Sequence, residues 1–505
     1  MRMTVRRFRR FLPNESATAL LGNDIAAALR PGDIVALRGD LGAGKTALAR
    51  SIVRSLAASP SLEVPSPTFT VVQSYGARIP VAHFDLYRVT SVEELEELGF
   101  DEATTNGVVL VEWPERAGDL FPANSIEIAL SEEGSGRSAE ISASGPAAER
   151  IQRSFDIRNF LAASGEAETC RAHLIGDAST RAYETLALAD GSTRILMDAP
   201  RRADGPPIQD GKSYSQVAKL AESVVPFVAV GSALKRAGFA APAIHASDLE
   251  RGLLILETLG DVGVVTDDGV PIAERYVAAA DLLADLHALE WPHVLPVGES
   301  RKHRLPDYDR EALLIELSLM LDWYLPFEAD RQITSNERKH FFAAWNAVLD
   351  RLQGAEKTIV LRDFHSPNLI WRAERSGNDR LGLIDFQDAA YGPAAYDVAS
   401  LAMDARVTVP PELQERVVSA YTQVRAQQGA FDRAAFDEAF AIMAAQRNAK
   451  VLGIFVRLNR RDGKPGYMRH LPRCRTYFAQ ALRHPSLSPV VQALQEIGLA
   501  EALEA

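Results

Sequence analysis

Cysteine is almost missing from this chain: Cys170 and Cys474 are the only two among 505 residues. There is no CxxC pair and no Cys/His cluster, which argues against a disulfide framework or a zinc site and fits a reducing, cytoplasmic setting. Runs of about 18 apolar residues are also missing, so no membrane span is expected. The first ten residues are rich in arginine, but no apolar segment follows them, and a secretion leader is not expected either. The segment from Thr4 to Leu12 reads instead as a strand with its arginines on a solvated face, a nucleic-acid contact there being the alternative. Finally, an excess of positive charge is missing. The net charge is −12; residues 1–147 carry 14 Lys/Arg against 19 Asp/Glu, a net of −5, leaving −7 for the remainder. Neither part has the bulk positive field of a protein that binds nucleic acid strongly by itself.

What is present is a globular composition, 47% hydrophobic and 24% charged, in a chain long enough for more than one domain. Residues 14–29 read as a helix, with Asn14 or Ser16 as its cap and Leu20, Leu21, Ile25 and Leu29 at helical spacing. Ile34 to Leu37 is a short buried strand. Then comes Gly39-Asp40-Leu41-Gly42-Ala43-Gly44-Lys45-Thr46, followed by a helical pattern to Leu56. A GxxxxGKT loop between a strand and a helix turns its backbone N–H groups, including those of Gly39, Leu41, Gly42, Ala43 and Gly44, around phosphate oxygens. Lys45 would reach the β- and γ-phosphates of ATP, and the Thr46 hydroxyl would bind Mg²⁺. Strands are expected at Val71-Val72, 81–84, 108–111 and 126–130, and Ser91 is expected to cap an acidic helix with Glu93, Glu94, Glu96 and Glu97. Ser131 to Ala148, rich in Ser, Gly, Glu and Ala, holds a possible last strand but reads mainly as the run-out into a linker. A new helical pattern starts at Phe155.

Three further motifs accompany the loop: Pro65 to Thr70 (PSPTFT), His83 to Arg88 (HFDLYR) and Leu110 to Arg116 (LVEWPER). With four motifs in order over about residues 10–130, this region resembles the TsaE family, small P-loop ATPases of bacterial threonylcarbamoyl-adenosine synthesis in tRNA. The resemblance implies that Asp85 stands beside Mg²⁺, that Thr68 senses the γ-phosphate, that Glu112 polarises the attacking water and that Trp113 flanks the nucleotide. It also implies TsaD and TsaB proteins as partners. On the residues alone, Asp85 also reads as a strand-end turn residue, and Tyr87 and Trp113 as core aromatics.

The second constellation lies far downstream. Asp363 and Asn368 have the spacing of the kinase catalytic loop, with Leu361 in place of its histidine. Leu369-Ile370-Trp371 and Leu381 to Ile384 read as a hairpin that brings Asn368 near Asp385, as shared Mg²⁺ ligation requires. Asp363 would orient or deprotonate an acceptor hydroxyl. Asp397 reads as the residue that holds this loop from the next helix. Upstream, Ile175 to Arg181, with Ser179, resembles a shortened nucleotide-covering loop, and Leu253 to Glu257 the strand leading to an adenine hinge. Met197 stands where a kinase lysine is expected; Lys212, Lys219 or Arg181 are the candidates to replace it.

From about Phe155 onward the pattern resembles the aminoglycoside-phosphotransferase-like family, and within it the anomeric kinases for N-acetylmuramate and N-acetylglucosamine. The residues that carry the narrower likeness are Met197-Asp198-Ala199-Pro200, Gly453 to Leu458, and Arg461 to Lys464. It implies ATP and Mg²⁺ as cofactors, a small amino sugar as acceptor and a sugar 1-phosphate as product. The basic cluster Arg457, Arg460, Arg461 and Lys464 would suit a carboxylate on that acceptor, or is a solvated helix end. The expected fold is thus a two-domain α/β chain: a P-loop NTPase domain over residues 1–147, then a bilobal kinase-like α+β domain over 148–505, its small lobe at about 165–260 and its helical lobe at about 261–505. A kinase for another small alcohol, such as choline, homoserine or an aminoglycoside, and a regulatory pseudokinase remain as alternatives for the second half.

Overall fold

The computed structural model describes residues 5–89, 98–122, 124–174, 181–201 and 205–499. The acidic helix expected after Ser91 and the loop carrying Ser179 lie outside the described residues. The chain forms two compact units: Met1–Gly176 with Ala182–Met197, and Asp177–Arg181 with Asp198–Ala505.

The first unit is built as β1 (Val5–Leu12), α1 (Glu15–Ala28), β2 (Ile34–Arg38), α2 (Lys45–Ala57), β3 (Val72–Tyr75), β4 (Val81–Asp85), α3 (Phe100–Asn106), β5 (Val108–Glu112), β6 (Ile126–Glu133), β7 (Gly136–Ser144) and α4 (Gly145–Ala163). The strands β8 (Cys170–Leu174) and β9 (Ala182–Ala187) and most of β10 (Thr193–Asp198) follow. Asn14 caps α1, its side chain accepting from the Ala17 N–H at 2.9 Å. The seven-stranded sheet runs β1-β7-β6-β2-β5-β4-β3. Strands β4, β2 and β5 lie in its parallel part, and their nearly unbroken burial matches the apolar runs read from the sequence. Because β4 and β5 are parallel with Asp85 opposite Glu112, both carboxylates emerge side by side at the carboxyl ends of the strands.

The linker expectation for Ser131 to Ala148 is corrected here. Residues 136–144 form β7, which pairs antiparallel with β1 on one side and β6 on the other. Small side chains hid the strand: apart from Ile141, its buried positions are Ser138, Ala139 and Ala143. The helix expected from Phe155 begins at Gly145, ten residues earlier, and Ala148, Ile151 and Phe155 complete the core beneath the sheet.

In the second unit a single helical turn at Tyr214–Val217 precedes α5 (Val225–Arg236) and the antiparallel pair β11 (Ile244–Asp248) and β12 (Leu253–Glu257). It continues through α6 (Ala273–His287), the pair β13 (Val294–Val297) and β14 (Arg301–Arg304), α7 (Arg310–Leu319) and α8 (Ser335–Asp350). Next, β15 (Lys357–Val360) pairs with β18 (Ala390–Pro393), and they flank the hairpin β16 (Leu369–Trp371) and β17 (Leu381–Leu383). Helices α9 (Ala395–Ala402), α10 (Pro411–Gln428), α11 (Arg433–Arg460), α12 (Leu471–Leu482) and α13 (Ser488–Glu496) complete it. At 28 residues and a mean hydropathy of 1.2 over its most apolar stretch, α11 is long and apolar enough to cross a membrane, but 89% of that stretch is buried inside the protein. It is a core helix. Gly453 lets it approach the end of α7, where a Cβ would stand 2.2 Å from the Leu319 carbonyl carbon.

Candidate active sites

The loop after β2 takes the conformation its glycines permit. Gly39, Gly42 and Gly44 hold positive φ of 137°, 81° and 102°, and a Cβ on Gly39 would meet the Leu130 carbonyl oxygen at 2.4 Å. Ala43 is buried, whereas Leu41 is exposed. Lys45 Nζ donates to the Gly39 and Asp40 carbonyls at 2.7 and 2.9 Å, and lies 3.6 Å from the centre of the Trp113 ring. Burial holds the Lys45 ammonium below its ordinary pKa, against the pull of Glu112, Glu115, Asp85 and Asp40. Trp113 is held at φ 60°, a conformation rare for a non-glycine residue, and packs against Tyr87 at 5.2 Å.

The two carboxylates make different contacts. The Thr46 hydroxyl donates to Glu112 Oε2 at 3.0 Å. Asp85 instead binds the opposite loop: Oδ2 accepts from Ser66 and Thr68 at 2.7 and 3.1 Å, and Oδ1 from the Tyr87 N–H. Glu112 thus stands with the expected metal-binding hydroxyl, and Asp85 with the expected γ-phosphate sensor. Two partners were not assigned from sequence. His83, wholly buried, pairs with Glu112 Oε1 at 3.0 Å, and Ser66 completes the Asp85 cluster. The sequence signals for His83 were its place at the head of the HFDLYR motif and its position two residues before Asp85, on the same face of a strand.

In the second unit the predicted hairpin forms with Leu369 opposite Leu383. The Ile384 N–H donates to the Asn368 carbonyl, and the Asn368 amide donates to the Asp363 carbonyl at 2.9 Å. Asp363, Asn368 and Asp385 are thereby gathered by one loop and one hairpin. Arg362 and Asp385 hold positive φ of 68° and 59°, so both turns are strained where the chemistry is expected. Asp397, fully buried, accepts from the Leu361 and Arg362 N–H groups at 2.6 and 2.9 Å, so the loop is held from α9 as expected. Asp404 does the same for the Ser366 N–H at 2.8 Å. Burial, then the neighbouring Asp363 charge, push the Asp385 carboxyl up to about 6, against Arg181.

Met197 is buried. Of the three cations weighed to replace a lysine there, Lys219 pairs with Asp309 and Glu311 at 3.3 and 3.4 Å, and Lys212 with Glu311 at 3.5 Å. Arg181 alone faces the site, 3.2 Å from Asp385. Glu257 ends β12 with its carboxylate accepting from the Ala243 N–H and from Lys235. The basic cluster ends α11: Arg457 lies over Tyr214, Arg460 over Phe327, and Arg461 pairs with Asp462.

A buried ionic network beneath the catalytic loop was invisible in the sequence. Glu316, at 0% exposure, binds Arg362 and Lys450 and accepts from Tyr308. Burial alone would raise the Glu316 pKa, yet Lys450 and Arg362 hold it below its ordinary value. Arg362 also donates to the Ala218 carbonyl at 2.9 Å, tying the loop to the segment before α5.

Hard oxygen donors at both sites fit Mg²⁺: Thr46 and Asp85, with Glu112 beside them, in one, and Asn368 and Asp385 in the other. Among the described residues no three His, Cys, Asp or Glu side chains form a self-sufficient metal cage.

Fold and sites together define a P-loop nucleotide-binding unit followed by a kinase-like phosphotransferase. The chain belongs to the phosphotransferase enzyme family, whose model matches residues 173–438, and its first part belongs to the threonylcarbamoyl adenosine biosynthesis protein TsaE family, matching residues 12–139. An N-acetylmuramate/N-acetylglucosamine kinase of Caulobacter vibrioides is 35% identical over 340 residues, covering 65% of this chain and 92% of that protein. Its namesake in Neisseria meningitidis serogroup B is 31% identical over 364 residues, covering 70% and 98%. The tRNA threonylcarbamoyladenosine biosynthesis protein TsaE of Rickettsia felis is 42% identical over 120 residues, covering 24% of this chain and 70% of that protein.

Proposed function

We propose that the chain is a bifunctional cytoplasmic enzyme. Its first unit hydrolyses ATP in support of threonylcarbamoylation of tRNA adenosine, working with TsaD and TsaB proteins rather than gripping tRNA strongly itself. Its second unit phosphorylates the anomeric hydroxyl of N-acetylmuramate or N-acetylglucosamine. The observation that carries this reading is the presence of two separate phosphate-handling constellations, each in the unit whose relatives bear the matching name.

In the first unit, the Gly39–Thr46 loop and Lys45 bind the phosphates, with Trp113 beside the nucleotide. Thr46, Glu112 and Asp85 supply the oxygen donors for Mg²⁺ and for orienting water, and Thr68 links the γ-phosphate to Asp85. In the second unit, Asp363 orients and accepts the proton of the acceptor hydroxyl; its side chain is 39% exposed, so a substrate can reach it. Asn368 and Asp385 hold Mg²⁺, which neutralises phosphate charge when bound. The loop with Ser179 and the strand end at Glu257 frame the nucleotide, and Arg181 takes over the charge role of the absent lysine.

The test is ADP release by the Lys45→Ala protein on a panel of N-acetylmuramate, N-acetylglucosamine, kanamycin, choline and homoserine, with ³¹P NMR of the product. Turnover restricted to the N-acetyl sugars, giving an anomeric phosphate and lost in Asp363→Asn, supports the proposal. Turnover on another alcohol reassigns the substrate, and silence across the panel overturns the kinase reading.

A further inference from the structure

A cavity of about 470 Å³ opens in the second unit between the start of α5, β14 and the segment after Asp385. Asp363 and Asn368 are not part of its wall, so it is not the acceptor's seat beside the catalytic loop. Its lining is cationic: Arg201, Lys219 and Arg304 face it, against Glu222. Lys219 is committed to Asp309 and Glu311, and Glu222 accepts from Ser215 at 2.9 Å. The charge that remains to meet a ligand is that of the two arginines.

Two residues of the wall each carry a buried polar atom that lacks a partner among the described residues. Gln387 is 3% exposed, and its Oε1 is buried without a hydrogen-bond partner among the described residues; so is His303 Nε2. Unpaired buried groups of this kind are costly, and a ligand that pairs them recovers the loss. The other end of the same amide is engaged: Gln387 Nε2 donates to Asp385 Oδ1 at 2.9 Å. The cavity wall and the carboxylate expected to hold the metal are thus joined by one side chain.

We propose that this cavity is a second small-molecule site, for an anion bearing a phosphate or carboxylate toward Arg201 and Arg304 and a hydroxyl toward Gln387 Oε1 and His303. A volume of this size holds a monosaccharide-sized molecule. Its occupant fixes the Gln387 amide, and through it the Asp385 carboxylate, so binding here adjusts metal affinity without touching the acceptor. The site stands on its own geometry and does not depend on which alcohol the kinase phosphorylates.

The test is titration calorimetry on the full chain carrying Lys45→Ala, without nucleotide, using glucose 6-phosphate, gluconate and inorganic phosphate as probes. Binding of glucose 6-phosphate alone assigns a phosphate headgroup, and of gluconate alone a carboxylate. In either case the proposal expects affinity to weaken by about tenfold or more in Arg201→Ala/Arg304→Ala and to persist in Asp363→Asn, tenfold corresponding to roughly 1.4 kcal/mol. Both arginines are exposed, so an unchanged melting temperature in the double variant separates loss of the site from loss of the fold. Binding of inorganic phosphate only, no binding of any probe at about 10 mM, or binding that survives the double substitution overturns the proposal.

Discussion

Glu112 is the residue on which the first site turns. It accepts from the Thr46 hydroxyl and pairs with a fully buried His83. Glu112→Gln keeps the shape and removes the charge, so ATP hydrolysis should fall by at least about 100-fold, roughly 2.7 kcal/mol of barrier, with nucleotide affinity changed far less; single-turnover hydrolysis against equilibrium ATP binding checks it. In the second unit, His470 carries a pH signature. Burial, then Arg406, Arg473 and Arg469, lower its pKa from 6.5 to about 4, with Asp404 opposing. As pH falls below about 6.5 the unfolded chain gains this proton before the folded chain does, so stability falls between about 6.5 and 4. The melting temperature of His470→Asn should decline less steeply over that window than that of the native protein, and identical slopes contradict the assignment.

At the scale of elements, the hairpin of β16 and β17 and the strand–loop–helix at β2 and α2 were legible in the sequence because each is local: a few residues fix their own turn. The strand β7 was legible only as a possibility, because apart from Ile141 its buried positions are filled by the small residues Ser138, Ala139 and Ala143, which read mainly as linker until β1 and β6 are seen on either side. The His83–Glu112 pair depends on strand neighbours, and the Glu316 network joins residues from α7, the catalytic loop and α11, so neither has a local signature. That network sets the loop's stability. Arg362→Met leaves the buried Glu316 with one partner fewer and removes the bond to the Ala218 carbonyl, and should cost about 3–5 kcal/mol. Denaturant unfolding of the second unit measures it; a cost under about 1 kcal/mol would show that the pair is not holding the loop.

For the whole molecule, both families were readable from ordered motifs, whereas the extent of the first compact unit was not. The TsaE match ends at residue 139, yet α4 supplies Ile151 and Phe155 to the same core, with Phe155 edge-on to Phe8 at 5.3 Å. Phe155→Ala in the full chain should destabilise the P-loop unit by about 3–5 kcal/mol. ATP hydrolysis would then be lost at lower temperature while phosphoryl transfer by the second unit persists, as paired thermal inactivation curves would show. One chain carrying two separate phosphate-handling sites should show two separable activities. The most direct measurement is ADP release with and without an N-acetyl sugar in the native protein, Lys45→Ala, Asp363→Asn and the double variant. Lys45→Ala should remove only the sugar-independent release, Asp363→Asn only the sugar-dependent release, and the double variant both. Loss of both activities in either single variant would contradict it.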